Sequence, residues 1–289
     1  MTVPPACRPA WPHARVPLDP VPDGACDCHF HIFGPHDRYP LGAGRSYTPP
    51  EASIAAYRDL QRTMGLRRSV IVQASVYGTD NSCIMDALSE LGRDVTRAVV
   101  VIDDTADPAD LARMADAGVC GVRINAVSGN GTPVELLQRI AHLIRPFGWH
   151  LQFYAPIDVI AGLGSVLAAL PVPVVVDHMG QFEPREGLDA PGFRVLLKLL
   201  ESDTTWVKLC GYRCSHEALP YEDVVPYVRA LAEVAPDRCV WGTDWPHPTF
   251  EGEMPDDGGL LDALTLWLPD PDVRRRVLVD NPARLYDFD

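Results

Sequence analysis

Several features that would place this sequence in a large protein class are missing from it. Its eight cysteines, at positions 7, 26, 28, 83, 120, 210, 214 and 239, include no Cys-x-x-Cys pair and no zinc-ribbon spacing. Cys26 and Cys28 lie two apart on a strand-like stretch, so their side chains point the same way, a poor geometry for a disulfide. All eight are read as reduced packing residues. No apolar run approaches the length needed to span a bilayer. The opening stretch MTVPPACRPAWPHARVPLDP is rich in proline and has no apolar signal-peptide core, so a cytoplasmic address is expected. Positive charge is scarce: 25 lysines and arginines face 39 acidic residues, a formal net charge of −14. Nucleic acid and anionic membranes both need a basic face, so neither is an expected partner. There is also no glycine-rich phosphate loop after the first strand, as an open dinucleotide-binding sheet would need. Internal repeats and low-complexity tracts are absent.

What remains is a chain of 289 residues with 47% hydrophobic residues, enough apolar material for one large core. From residue 24 onward, short apolar runs alternate with helix-period segments. The strand-like runs are 25–33, 68–74, 97–102, 121–125, 150–154, 172–178, 206–209 and 239–242. Most are continuous and rich in Val and Ile, as strands buried on both faces should be. Between them lie helical patterns closed by Gly65, Gly92, Gly118 and Gly148, each just past the last periodic residue. Eight strands, each followed by a helix, is the count of a closed α/β barrel, a (β/α)₈ TIM barrel. Residues 1–23 are expected as a proline-rich arm on the surface and residues 24–289 as the barrel.

In such a barrel the chemistry sits at the C-terminal ends of the strands. His29 and His31, two apart at the end of the first strand, project toward the same side. Asp177-His178 ends the apolar run PVPVVVDHMG, and Asp244 follows CVWGT at the end of the last strand. One lone histidine there would ordinarily be a hydrogen-bonded structural residue. Three histidines and an aspartate converging on one rim mark a site, because buried ionisable groups are costly. Arg123 in GVRIN, Tyr154 in LQFY and Arg213 after KLCGY also end strands and suit an anionic group, since the guanidinium fork matches a carboxylate. The alternative role for either arginine is a structural ion pair. Ser75, Tyr77 and Tyr47 could add hydroxyl contacts. His247 lies in a proline-rich turn and ranks below the other histidines, and Lys208 on the seventh strand is open between a core role and a substrate role.

The motifs HFH, VDHMG and WGTDWPHP resemble those of the amidohydrolase superfamily, and most closely its branch of lactone hydrolases related to 2-pyrone-4,6-dicarboxylate lactonase, sulfomuconolactone hydrolases and galactarolactone isomerases. The likeness continues through CDCHFHIFGP, VIVQASVYGTDN, GVRIN, KLCGYRCS and DNPARLYDF, covering nearly the whole chain after residue 23. It implies hydrolysis of a small anionic lactone from aromatic or sugar-acid breakdown. In the pyrone-dicarboxylate enzymes a further basic residue follows the position of Arg123. Here the stretch is NAVSGNG, with none, which leaves room for a ligand with one anionic group.

The residues suit that chemistry. Asp244 can take a proton from water as general base, and His29, His31 and His178 can donate to the carbonyl oxygen where negative charge develops. The same four residues are the ligand types for a single Zn²⁺ or Mn²⁺. Strands four and five, however, offer Arg123, Asn125, Gln152 and Tyr154 rather than an additional ligand, and Arg123 is a fixed positive charge nearby. No cofactor is therefore expected to be required, as the resemblance also implies. The competing readings are a metal-dependent decarboxylase or a lactone isomerase on the same scaffold, and a binding protein without chemistry.

Overall fold

The computed structural model describes residues 4–128 and 130–288; the first three residues of the expected arm and the last residue of the expected barrel lie outside them. Eight strands form one parallel sheet in the order β1 to β8. They are β1 Cys26–Phe30, β2 Arg68–Val72, β3 Thr96–Val100, β4 Val119–Asn125, β5 His150–Tyr154, β6 Val174–Val176, β7 Thr205–Leu209 and β8 Cys239–Trp241. The helices between them are α1 Ile54–Met64, α2 Ser82–Leu91, α3 Pro108–Ala117, α4 Leu137–Ile144, the pair α5 Ile157–Gly162 and α6 Gly164–Ala168, α7 Pro191–Leu200 and α8 Val225–Val234. After β8 come α9 Asp257–Trp267, α10 Pro271–Arg275 and α11 Asn281–Tyr286. The expected (β/α)₈ architecture is present. Val70, Val72, Val99, Val175 and Val240 pack with Cys26, Cys28 and Trp206 in one buried cluster, which is why these strands read as unbroken apolar runs. All eight cysteines are free. Among the described residues, no helix is long and apolar enough to cross a membrane.

The sequence overestimates strand length where a rim residue curls away. The run 172–178 narrows to Val174–Val176, because Pro173 has no N–H to donate and Asp177–Gly180 forms a turn in which His178 and Met179 have positive φ. Likewise β1 stops at Phe30, before His31. The helix stops at Gly65 and Gly118 are left-handed as expected, whereas Gly92 is extended in ψ, and α4 ends at Ile144 with a 3₁₀ turn before Gly148.

Neighbouring strands from β1 through β8 are joined by parallel ladders, with register shifts in β1–β2 and β3–β4. The closing seam between β8 and β1 is different: among the described residues it has only the isolated bridge Phe30–Trp245. Two backbone bonds hold it, Asp244 N–H to His29 O at 2.7 Å and His31 N–H to Trp245 O at 2.8 Å. Asp27 ties the seam from below. Its carboxylate accepts from the backbone N–H groups of His29 and Thr243 and from the hydroxyls of Thr243 and Tyr57. Gly242 makes the approach possible, since a Cβ there would lie 2.7 Å from the backbone nitrogen of His29.

Candidate active site

Above the valine layer the barrel interior turns polar. Lys208 from β7, Gln152 from β5 and Asp177 after β6 are all fully buried. Lys208 Nζ lies 3.1 Å from Asp177 Oδ1, donates to Gln152 Oε1 at 3.0 Å and lies 3.3 Å from His29 Nδ1. Gln152 Nε2 and Arg123 Nε donate to Asp177 Oδ2 at 2.8 and 3.3 Å. Burial alone would raise the Asp177 carboxyl, but Lys208 and Arg123 outweigh it and hold it well below the usual carboxylate range. Burial, reinforced by the Lys208 charge, pushes the His29 imidazole far down, so this ring is neutral. The β1–β2 register shifts between Asp27 and Phe30, the stretch that carries His29; such irregularities commonly re-aim a side chain beside a site.

Asp244 is the centre of a second group, one step nearer solvent. Its Oδ2 accepts from Tyr212 Oη and Arg213 Nε, both at 2.7 Å. Its Oδ1 faces His31 Nε2 at 3.2 Å and His29 Nε2 at 3.6 Å, and His178 Nε2 stands 3.9 Å from Oδ2. Burial would raise this carboxyl too; Arg213 and then the surrounding histidines hold it well below the ordinary range. Burial pushes the His178 imidazole down to about 4, leaving it neutral near pH 7. Asp244 has a φ of 59° and His178 one of 47°, left-handed conformations held by the surrounding packing at the ends of β8 and β6.

A cavity of about 200 Å³ opens onto this group. Of the residues singled out from the sequence, His31, His178, Asp244, Arg123, Tyr154, Arg213, Ser75 and Tyr47 line it. His29 lies beneath, between the two aspartates. Tyr77 is the exception. Its buried hydroxyl accepts from Gly34 N–H, so it holds the loop after β1 and does not contact the cavity. Arg213 reaches the cavity with its guanidinium already engaged by Asp244 and by the carbonyl of Pro248. Arg123 is paired with Asp177 and stacked over the Tyr154 ring at 5.0 Å while still lining the cavity. Sequence reasoning gave no role to Asp177, Gln152 or Tyr212, and missed Ser46, Ser128 and Thr249, three further lining hydroxyls. Asp177 and Tyr212 lie just past a strand and Gln152 within one, which was their only signal. A larger surface cleft beside Trp11 and His216, about 790 Å³, contains none of these groups.

The donor atoms suit one divalent cation. His29 Nε2, His31 Nε2 and Asp244 Oδ1 lie 3.2 to 3.6 Å from one another, the spacing expected of atoms bound at about 2.0–2.1 Å to a shared tetrahedral ion. The neighbours constrain the tautomers. His31 Nδ1 must donate to Val72 O at 2.7 Å, which leaves a lone pair on Nε2 facing the Asp244 carboxylate. That arrangement calls for a positive centre between the two, either a proton or a metal ion. His29 Nδ1 lies near the donor Lys208 and the acceptor Asp177, at 3.3 and 3.5 Å, so either tautomer of this ring has a partner.

Known proteins are similar to this chain along most of its length. The sequence profile of the family described as amidohydrolase matches residues 26–288. A 2-pyrone-4,6-dicarboxylate hydrolase of Comamonas testosteroni is 40% identical over 278 residues, covering 92% of this chain and 91% of that one. A 4-sulfomuconolactone hydrolase of Rhizobium radiobacter is 37% identical over 272 residues, covering 92% and 91%. A crystal structure of an Agrobacterium tumefaciens protein without ligand superposes with a TM-score of 0.87 at 31% identity, over 94% of this chain and 99% of that one. With its eight-stranded barrel, its paired histidines at the end of the first strand and its aspartate just past the last, the chain belongs to the amidohydrolase family.

Proposed function

We propose that the chain opens a small anionic lactone by water attack on the ring carbonyl. One observation carries the reading: Asp244, its carboxylate set among His29, His31 and His178, lines a small cavity together with Arg123 and Tyr154. Arg123 takes the substrate carboxylate, and the hydroxyls of Tyr47, Ser75 and Tyr154 fix the ring. Asp244 Oδ1 removes a proton from water as the water oxygen bonds to the carbonyl carbon. The ion pair that keeps Asp244 charged also makes it a weak base, so this transfer runs together with bond formation. The oxyanion is met by the imidazole N–H of His178. Collapse breaks the acyl–oxygen bond, and the proton on Asp244 passes to the leaving ring oxygen, giving the open hydroxy acid.

If a divalent ion is bound, His29, His31 and Asp244 hold it, and it supplies Lewis acidity and a more acidic water. We propose that it is not required. Lys208 beside His29 Nδ1 favours the tautomer with the proton on Nε2, which removes one ligand atom, and Arg213 already places a cation on Asp244. Stripping the enzyme with a strong chelator should leave turnover unchanged. Activity that vanishes and returns with Zn²⁺ or Mn²⁺ would make these residues ligands. The reaction itself is tested on a panel of small lactones with a pH indicator and parallel carbon dioxide measurement. Acid release from a lactone with one carboxylate, without carbon dioxide, is expected. Carbon dioxide release, or no acid from any lactone, overturns the reading.

A further inference from the structure

The N-terminal segment crosses the β8–β1 seam at the end of the barrel that carries the site. On one side it grips the loop after β1. Cys7 N–H donates to Thr48 O at 2.8 Å, Thr48 N–H to Pro5 O at 2.7 Å, and Thr48 Oγ1 to Pro4 O at 3.2 Å. On the other side it grips the loop after β8. Arg8 Nη2 donates to the carbonyls of Phe250 and Gly252, and Trp11 Nε1 donates to Met254 O at 2.6 Å. Farther along, Arg15 N–H donates to the Asp256 carboxylate and its guanidinium pairs with Asp262 on α9. Leu18 N–H donates to Asp262 Oδ1 at 2.8 Å.

These two loops are walls of the cavity. Ser46 and Tyr47 come from the first, immediately before the gripped Thr48; Pro248 and Thr249 come from the second, immediately before the gripped Phe250. Among the described residues, no hydrogen bond runs directly from residues 44–50 to residues 246–254. The strand ladders give no help there, because the seam beneath has none. We propose that residues 4–18 are a clasp that fixes the separation of these two walls, with Arg8, Trp11 and Arg15 as positioning residues for substrate binding. This rests on the cavity being the substrate site. Without the clasp, each wall must be ordered when substrate binds, and that cost falls on binding. Asp244 and the histidines sit on strand ends held by the barrel, so the chemical step changes little.

Gly258 offers a way to release the clasp from the other side. It lies in the first turn of α9, and a Cβ there would collide with the backbone carbonyl oxygen of Arg15, which cannot swing aside as a side chain can. The experiment compares the full-length wild type with Arg8→Ala/Trp11→Ala and with Gly258→Ala. It measures amide hydrogen exchange and steady-state kinetics on an anionic lactone. Both variants should exchange faster at residues 44–50 and 246–254, with the β-strands unchanged. KM should rise about tenfold with kcat within about twofold. Unchanged exchange in the two loops overturns the proposal, as does faster exchange with KM unmoved or loss of protection throughout the strands. Exchange needs no substrate, so it still decides the clasp if wild type turns over no lactone, an outcome that defeats only the lactone reading.

Discussion

Asp177 and Asp244 look alike on paper and differ in what surrounds them. Each follows a short barrel strand, each is buried, and each is held ionised by a neighbouring cation against the cost of burial. Asp177 is sealed among Lys208, Arg123, Gln152 and His29, with no face on the cavity. Asp244 lines the cavity, with one oxygen fixed by Tyr212 and Arg213 and the other facing His31 and His29. The difference teaches that a perturbed carboxyl does not by itself mark a candidate reacting group; access to the cavity is what separates the two.

The sharpest way to separate the two is to neutralise each. Asp244→Asn should lower turnover at least about a thousandfold, since the proposed general base is lost while the proposed oxyanion donor remains. Water in the cavity can solvate the freed Arg213, so thermal unfolding should move less than for the inner aspartate. Near-normal turnover would end the assignment. Asp177→Asn leaves Lys208 and Arg123 buried without a counter-charge and should cost about 3–5 kcal/mol of stability in chemical denaturation. The double variant with Lys208→Met should recover part of that loss; strict additivity would show that the two do not act as a pair.

Arg123 joins the two regions, and Arg123→Met tests which it serves. As a substrate anchor it should raise KM by about ten- to a hundredfold with a smaller change in kcat, the range expected for a charged hydrogen bond. A loss of stability with KM unchanged would assign it wholly to Asp177. The last effect is in pH. The His178 imidazole titrates near 4 in the folded protein and near 6.5 when unfolded, so between those values only the unfolded chain takes up the proton. The His178 contribution to stability should therefore fall as pH drops from about 6.5 to about 4, by at most about 3 kcal/mol, and stay constant below, where the depressed carboxyls of Asp177 and Asp244 continue the loss. His29 acts in the same direction. Denaturation curves across this range for wild type and His178→Gln should show a shallower slope in the variant.

The sequence made the strands and the rim residues readable for one reason: both depend on local pattern. Valine-rich runs buried on both faces identify strands, and a polar residue ending such a run, as at Asp244, stands out. Pairings across the barrel leave no such trace. Lys208 and Asp177 lie 31 positions apart in the chain and meet only because β6 and β7 are neighbours in a closed interior. Tyr77 sits in the right motif, but a 3₁₀ turn at Ser75–Tyr77 leaves its hydroxyl on Gly34 while Ser75 still lines the cavity. The grip of Arg8 on residues more than two hundred positions later was equally invisible in a proline-rich stretch without periodicity.

The seam between β8 and β1 has a bearing on how the protein is made. The bonds that close it, Asp244 N–H to His29 O and His31 N–H to Trp245 O, join residues more than two hundred positions apart. A ribosome adding about 5–20 residues per second must synthesise nearly the whole chain before these partners can meet. Until then β1 has β2 on one side and an open edge on the other, a template for wrong pairing. The closing contacts and the proposed chemistry use the same residues, so activity can arise only after the last strand has emerged. A nascent chain stalled ahead of Asp244 would carry His29 and His31 but neither a sealed barrel nor a functional site.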